Sequence, residues 1–513
     1  MRNIKILFRE RNKTIVFFFF IALFCAGIIV FKDYGLGFDE GSERRLGIMT
    51  LDYVFKHDPA LFQTNNFYGP VFQVALVGLE RIFNLTGNLK NVYLMRHLAT
   101  FLLFYTGVFF FYRLCVYRFK DRKMGLIGSL FLVLSPRIFA DSFYNSRDIP
   151  FLSLFIISAY TLILYLENKT FARAFFHGLA SAFLINIRPI GVIMLFLTIV
   201  FVMLDLFMPK SLRQDKRQGF SSLLAYIGVA GFFTVLFWPL LWGYPIHNGI
   251  ILSKRFMHFF SDQPMFYTLY LGNYIKTSEL PWHYIPVWIA ISVPISYLVL
   301  FIIGCVSSIK SLRRDLVFIL WFFLPLIYIG VSKQPLYDGW RHLFFIYPAF
   351  LMIALIGLKD VWMSFNRGLG YKTAAGALTI FIILNLANVA RFMARYHPYQ
   401  NIYFNILAGK NMADVKNKFE LDYWGLSYRK ALEYIVRNDA SEAIKVYVNN
   451  LPGVFNSYML NPSDRKRLVY VKTPDEARYF LSEYRWHNGE YPYKNEFYSI
   501  KINGAKIMAA YKL

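Results

Sequence analysis

"TIVFFFFIALFCAGIIVFKDYGLGFDEGSERR" (residues 14–45) joins two kinds of sequence that soluble proteins keep apart. Its first part, 14–31, is an apolar run close to the roughly 20 residues that a helix needs to cross the ~30 Å core of a bilayer. Its second part places Asp39, Glu40 and Glu43 within a few residues of where the chain leaves the membrane. The run follows MRNIKILFRERNK and has no small-residue cleavage site near its end, so it reads as a retained helix and not as a cleaved signal peptide. What the acidic residues do depends on the side they face.

The same apolar character recurs along the whole chain. Of 513 residues, 57% are hydrophobic, with 54 Phe and 36 Tyr, which marks a membrane protein. Further runs fall near 97–116, 124–141, 149–166, 173–187, 190–208, 220–242, 285–306, 316–331, 343–357 and 373–391, predicting about eleven transmembrane helices. The net charge of +25 comes largely from short loops between the runs, and no basic soluble fold points to nucleic acid. Cys25, Cys115 and Cys305 lie in apolar stretches, so no disulfide framework is expected.

With the basic N-terminus cytoplasmic, alternation assigns RFKDRK (118–123), PKSLRQDKRQ (209–218), IKSLRRD (309–315) and KDVWMSFNRGLGYK (359–372) to the cytoplasm. All four are net positive, which alternation did not require. The opposite face receives a long first loop (32–96), the stretches at 141–148 and 186–189, the segments 243–284 and 332–342, and everything after 391. Long runs end there, giving a polytopic domain over 1–391 and an external soluble domain over 392–513. In the latter, "DYWGLSYRKALEYIVRN" (422–438) reads as an amphipathic helix, and 443–450 and 497–502 read as strands, hence a small α/β domain. The stretch "RYHPYQNIYFNILAG" (395–409) reads as an interfacial aromatic belt.

Asp39 can be a plain N-cap for the helix carrying ERRLGIMTLDYVF. The loop also carries "HDPALFQTNNFYGPVFQVAL" (57–76), and loops this long between spans usually serve function. An Asp-Glu pair just after the first helix, followed about thirty residues later by Tyr68-Gly69-Pro70, resembles the polytopic GT-C glycosyltransferases, in particular the protein O-mannosyltransferases and the lipid A aminoarabinose transferases. The resemblance covers roughly 14–390 and implies a sugar donor linked to a polyprenyl phosphate, with Asp39 and Glu40 in the catalytic loop. A second acidic motif of the family, an Asp after Arg at the outer end of a helix, is matched by Asp148 after Arg147 in "SPRIFADSFYNSRDIPFLSLF" (135–155), with Asp141 as a second candidate.

Elementary chemistry makes a matching demand. A sugar leaving from a phosphate needs little acid assistance, but the acceptor hydroxyl needs a general base and the departing phosphate needs fixed positive charge. "SKQPLYDGWRHLFFIYP" (332–348) offers Lys333, Arg341 and His342 for the phosphate, with interfacial anchoring as their alternative role. Arg188 in "NIRPIG" can serve similarly or snorkel beside the break at Pro189. Lys254, Arg255, His258 and Lys276 are unranked further cations, and Tyr68 is expected near the acceptor. There is no P-loop, no dinucleotide fingerprint and no Cys/His metal spacing, so no cofactor is expected and a monophosphate donor requires no metal. Expected partners are a polyprenyl-phosphate sugar, a lipid, glycan or protein acceptor, and membrane lipids, at the plasma membrane with the site outward. A secondary transporter or a non-catalytic envelope assembly protein are the alternatives. A transporter would carry its ionisable groups along a midplane path.

Overall fold

Each of the eleven apolar stretches is helical over most of its described residues in the computed structural model, which describes residues 2–63, 68–206, 216–259, 267–332, 335–366 and 368–513, without the side chains of 2–12, 216, 253 and 255–259. Lys333, most of the 209–218 loop and the side chains of Arg255 and His258 therefore lie outside the described residues. Among those described, eight helices are long and apolar enough to cross a membrane, or nine if one bent pair is a single span, fewer than the eleven expected. The difference has a local cause. The stretch at 285–306 is broken at Val293-Pro294 into Tyr284–Ser292 and Ile295–Ile309, and 173–187 yields only Phe171–Ile185. A 15-residue helix is about 22 Å long, short of the hydrocarbon core.

The bent pair is Arg122–Val133 with Pro136–Tyr144, turned by 70°. Pro136 has no N–H to continue the ladder, and Ser135 Oγ donates to the Phe131 carbonyl at 2.7 Å, satisfying a group that the break releases. The bend carries residues 141–148 across the end of the bundle.

Enclosure differs sharply between spans. Arg341–Ser364 is 89% buried and Asp148–Glu167 is 67% buried, whereas Lys13–Val30 is 17% buried. The helix Tyr347–Ser364 lies against Ile295–Ile309 at two glycines. A Cβ on Gly304 would stand 1.9 Å from the Ile353 carbonyl oxygen, and one on Gly357 would stand 2.1 Å from that of Leu300. Small residues at a crossing let two backbones meet, the usual packing solution between helices in lipid.

Tyr399, Ile402, Tyr403 and Phe404 are buried within the membrane-domain core. They do not form the interfacial belt expected of them, because the chain turns back: Asn405 Nδ2 donates to the carbonyls of Ala290 and Val293 at 2.6 and 2.7 Å, and Arg137 Nε donates to that of Tyr403 at 3.1 Å. That core runs on to Leu426 and also takes in Ile502, Ala505 and Ile507 near the C-terminus, while a second core begins at Tyr428. The amphipathic helix is Tyr428–Asn438. Residues before it form a turn, since the Asp422 carboxylate accepts the Leu426 and Ser427 N–H groups and Gly425 has φ 72°. An antiparallel hairpin in the 243–284 segment, β1 (Tyr267–Tyr270) and β2 (Asn273–Lys276), was not expected from the sequence. The C-terminal sheet comprises β3 (Ile444–Val448), β4 (Leu468–Tyr470), β5 (Tyr479–Ser482), β6 (Glu496–Ile502) and β7 (Ala505–Lys512), in the order β4-β3-β5-β7-β6. β3 pairs parallel with β4 and β5, and β7 pairs antiparallel with β5 and β6. Ala431, Leu432 and Ile435 pack the helix onto Ile444, Val446 and Leu481.

Three of the basic loops meet at one end of the bundle. Arg118, Lys310, Arg314 and Lys359 line one cavity there, and Arg118 holds Asp315 with two bonds of 2.5 and 2.9 Å. With single cysteines introduced on a background free of the three native ones, Lys472→Cys should react with a membrane-impermeant maleimide on intact cells and Lys310→Cys should not. Labelling at position 310 from outside would reverse the orientation.

Candidate functional site

Asp148 and Arg341 are the first residues of the two most enclosed spans, which brings them side by side at one end of the bundle. Arg341 Nη1 lies 3.2 Å from Asp148 Oδ2 and 3.0 Å from Asp39 Oδ2, and its Nη2 lies 3.3 Å from Asp338 Oδ2. One guanidinium thus meets three carboxylates. Its ring neighbours are Tyr337 at 5.1 Å and Trp424 at 4.6 Å, measured to the centroids. Arg188 pairs with the other oxygen of Asp148.

The loop before Asp148 is fixed from several directions. Asn145 Nδ2 donates to both Asp141 and Asp148 at 2.9 Å, and Asn145 Oδ1 accepts the Asp148 N–H at 2.9 Å. Asp141 also accepts from Tyr144 Oη at 2.7 Å, so this second candidate stands behind Asp148 as a buried support. Gln73 Nε2 donates to the Ser146 carbonyl at 3.0 Å, tying the loop to the helix Val71–Ile82. Arg147 pairs with Glu43 and lies 3.7 Å over the Tyr68 ring, while Arg188 lies 5.4 Å from the same ring. Tyr68 can arrive there because residue 69 is Gly: a Cβ on it would stand 2.2 Å from the Asn186 carbonyl oxygen.

Asp39 does occupy the N-cap of Glu40–Lys56, but its side chain makes no capping bond and faces Arg341 instead. Glu40 turns the other way. It accepts the Gly37 N–H at 2.8 Å and lies 3.0 Å from His97 Nε2, so it holds the loop from behind and does not touch Asp39 in this arrangement. His342 is half-buried with its ring 4.6 Å from that of Tyr337. Of the unranked cations, Lys276 pairs with Glu279 at 3.5 Å and Lys254 is exposed. Among the described residues, no group of three or more His, Cys, Asp or Glu is arranged to hold a metal ion.

Four participants have no role that the sequence alone points to: Glu43, Asp338, Arg485 and Trp424. Glu43 and Asp338 sit inside stretches singled out for their neighbours. Trp424 sits inside the stretch read as an amphipathic helix, and Arg485 has no local signal in the sequence.

The electrostatics separate the carboxylates. The Asp148 side chain is 1% exposed and that of Asp338 is 5%, whereas that of Asp39 is 35%. Burial pushes Asp338 above the ordinary carboxylate range, opposed by Arg485 and then Arg341. Burial likewise raises Glu43, opposed by Arg147. Arg341 and Arg188 each keep a buried Nε–H with no hydrogen-bond partner among the described residues. Such donors are costly to leave unpaired. The arrangement can do two things: hold an anion on guanidinium groups, and present one accessible carboxylate beside it.

Behind Arg485, burial pushes Glu420 and Glu483 up to about 7. The unfolded chain releases these protons near 4.5. Between those values the folded chain holds protons that the unfolded chain has lost. Their contribution to stability is therefore present below about 4.5 and is lost as pH rises through about 7. The double variant Glu420→Gln/Glu483→Gln should gain in Tm relative to wild type on going from pH 5 to pH 8, measured by thermal unfolding in detergent. A gap that stays flat with pH would refute the assignment.

No family model matches the chain, and no curated protein matches its sequence. Among solved structures it is similar to ArnT from Cupriavidus metallidurans bound to undecaprenyl phosphate, at 13% identity and a TM-score of 0.49, over 96% of this chain and 97% of that one. It is also similar to the Archaeoglobus fulgidus oligosaccharyltransferase tethered with an acceptor peptide, at 11% identity and a TM-score of 0.39, over 90% of this chain and 64% of that one.

Proposed function

We propose that this multi-pass membrane protein is a glycosyltransferase, moving a sugar from a polyprenyl-phosphate donor to a hydroxyl acceptor at the outer face of the plasma membrane. The observation that carries this reading is the pair Asp39–Arg341: a partly exposed carboxylate 3.0 Å from a buried guanidinium where the most enclosed span begins. The polyprenyl chain stays in the bilayer, and its phosphate reaches Arg341 at the end of that span. Arg188 supplies a second guanidinium.

In the reaction, the acceptor oxygen bonds to the anomeric carbon as the bond from that carbon to the phosphate oxygen breaks. The acceptor proton passes to Asp39. The electron pair stays on the phosphate, which leaves as polyprenyl phosphate with one more negative charge, and Arg341 stabilises that charge as it grows. A transport reading asks for ionisable groups along a path through the bilayer centre, whereas Asp148 and Arg341 are the opening residues of their spans.

Arg341 has three carboxylate neighbours and one unpaired Nε–H, so a phosphate arriving at it competes with the carboxylates for the guanidinium. Asp39 is the most exposed of the three, and its release frees it to act as base. Asp39→Asn should therefore cut transfer by about 10²–10⁴ while tightening the binding of undecaprenyl phosphate, because it removes the competitor. Arg341→Gln should weaken that binding by about tenfold or more. Release of polyprenyl phosphate from a pooled polyprenyl-phosphate-sugar extract, followed by mass spectrometry, reads transfer. Asp39→Asn with full transfer would sink the role of Asp39.

A further inference from the structure

The C-terminal segment reaches into the site through one side chain. Arg485 follows β5 in a tight turn in which Tyr484 and Trp486 both have positive φ, 64° and 58°. Its Nη2 donates to Asp338 Oδ1 at 2.7 Å and its Nη1 to the Tyr423 carbonyl at 2.5 Å. The guanidinium carbon is 5.3 Å from the Phe38 ring centroid and 4.6 Å from that of Trp486, and the side chain is 8% exposed. Asp338 is thus a bridge: one oxygen receives Arg485, and the other receives Arg341.

We infer that Arg485 is a positioning residue for the donor site: through Asp338 it fixes the orientation in which Arg341 meets a phosphate. The inference rests on the proposed function. The physical argument is one of geometry as much as charge. A planar fork bonded at two points, to Asp338 and to a backbone carbonyl, fixes the carboxylate plane, and that plane fixes Arg341 Nη2. Phe38, immediately before Asp39, lies near the same guanidinium, so Arg485 touches the surroundings of both the base and the phosphate holder. Without it, Asp338 keeps Arg341 alone as an ion-pair partner among the described residues, and nothing on its far side fixes the plane that Arg341 meets. Small misplacements of such groups cost up to about 10²-fold in function.

A side chain that only stabilises the fold, or only adds a distant positive charge, would act on phosphate affinity independently of Arg341. A relay through Arg341 would not. The test is a double-mutant cycle on the purified full chain, reading the affinity for undecaprenyl phosphate in nanodiscs. Arg485→Gln should weaken binding about tenfold in the wild-type background and have almost no further effect in Arg341→Gln. Arg485→Lys, which keeps the charge but cannot bond both partners from one plane, should lose affinity in the same direction by less. If Arg485→Gln does not fold, the same cycle run with Arg485→Lys decides. Additive losses, or wild-type affinity in the folded Arg485 variants, overturn the relay while leaving the proposed function standing. Wild-type protein that does not bind undecaprenyl phosphate at all overturns the proposed function, and the relay with it.

Discussion

Arg341 is a buried cation shared by Asp39, Asp148 and Asp338, and the rest of the site is arranged around satisfying it. A buried guanidinium is costly unless paired, and these three carboxylates come from three separate parts of the chain. Their convergence requires the bend at Ser135-Pro136, the close crossing of the Arg341–Ser364 span with Ile295–Ile309, and the docking of the first loop. Three guanidiniums (Arg188, Arg341, Arg485) and three carboxylates (Asp39, Asp148, Asp338) form a connected set, with the Arg147–Glu43 pair beside it. An anion entering this set competes with its carboxylates, and the exposed member, Asp39, is the one best placed to move.

The same pairing explains the division of labour among carboxylates that look alike in sequence. Asp148 and Asp141 are locked by Asn145 and have no free approach from water. Asp338 is clamped between two arginines. Asp39 sits at a helix start without using its side chain as a cap, keeping it available to a partner that comes and goes.

Much of this was legible in the sequence. The eleven apolar stretches are helical over most of their described residues, and Asp39, Tyr68, Asp148, Arg188 and Arg341, singled out from separate stretches, lie together. Periodicity reads such helices well because burial in lipid and in protein both demand apolar residues. Glu40 shows the limit of adjacency. Successive residues entering a helix point about 100° apart, so a neighbour of Asp39 in sequence faces His97 instead of the site. The hairpin at 267–276 escaped notice because its turn uses Leu271 at φ 52° before Gly272, where Asn or Asp would have announced it. Arg485 lies 147 residues from its partner Asp338, and nothing local distinguishes it from an ordinary surface arginine. Contacts made only in the tertiary fold leave no pattern in a single sequence.

The most direct measurement is an electron cryo-microscopy map of the full chain in nanodiscs saturated with undecaprenyl phosphate. The phosphate density should lie within hydrogen-bonding distance of the Arg341 guanidinium, with Asp39 drawn away from it and Asp148 and Asp338 still in place. Phosphate density elsewhere, such as the cavity of Arg118, Lys310 and Lys359 at the other end of the bundle, with the Asp39–Arg341 pair intact, would contradict the assignment of this site.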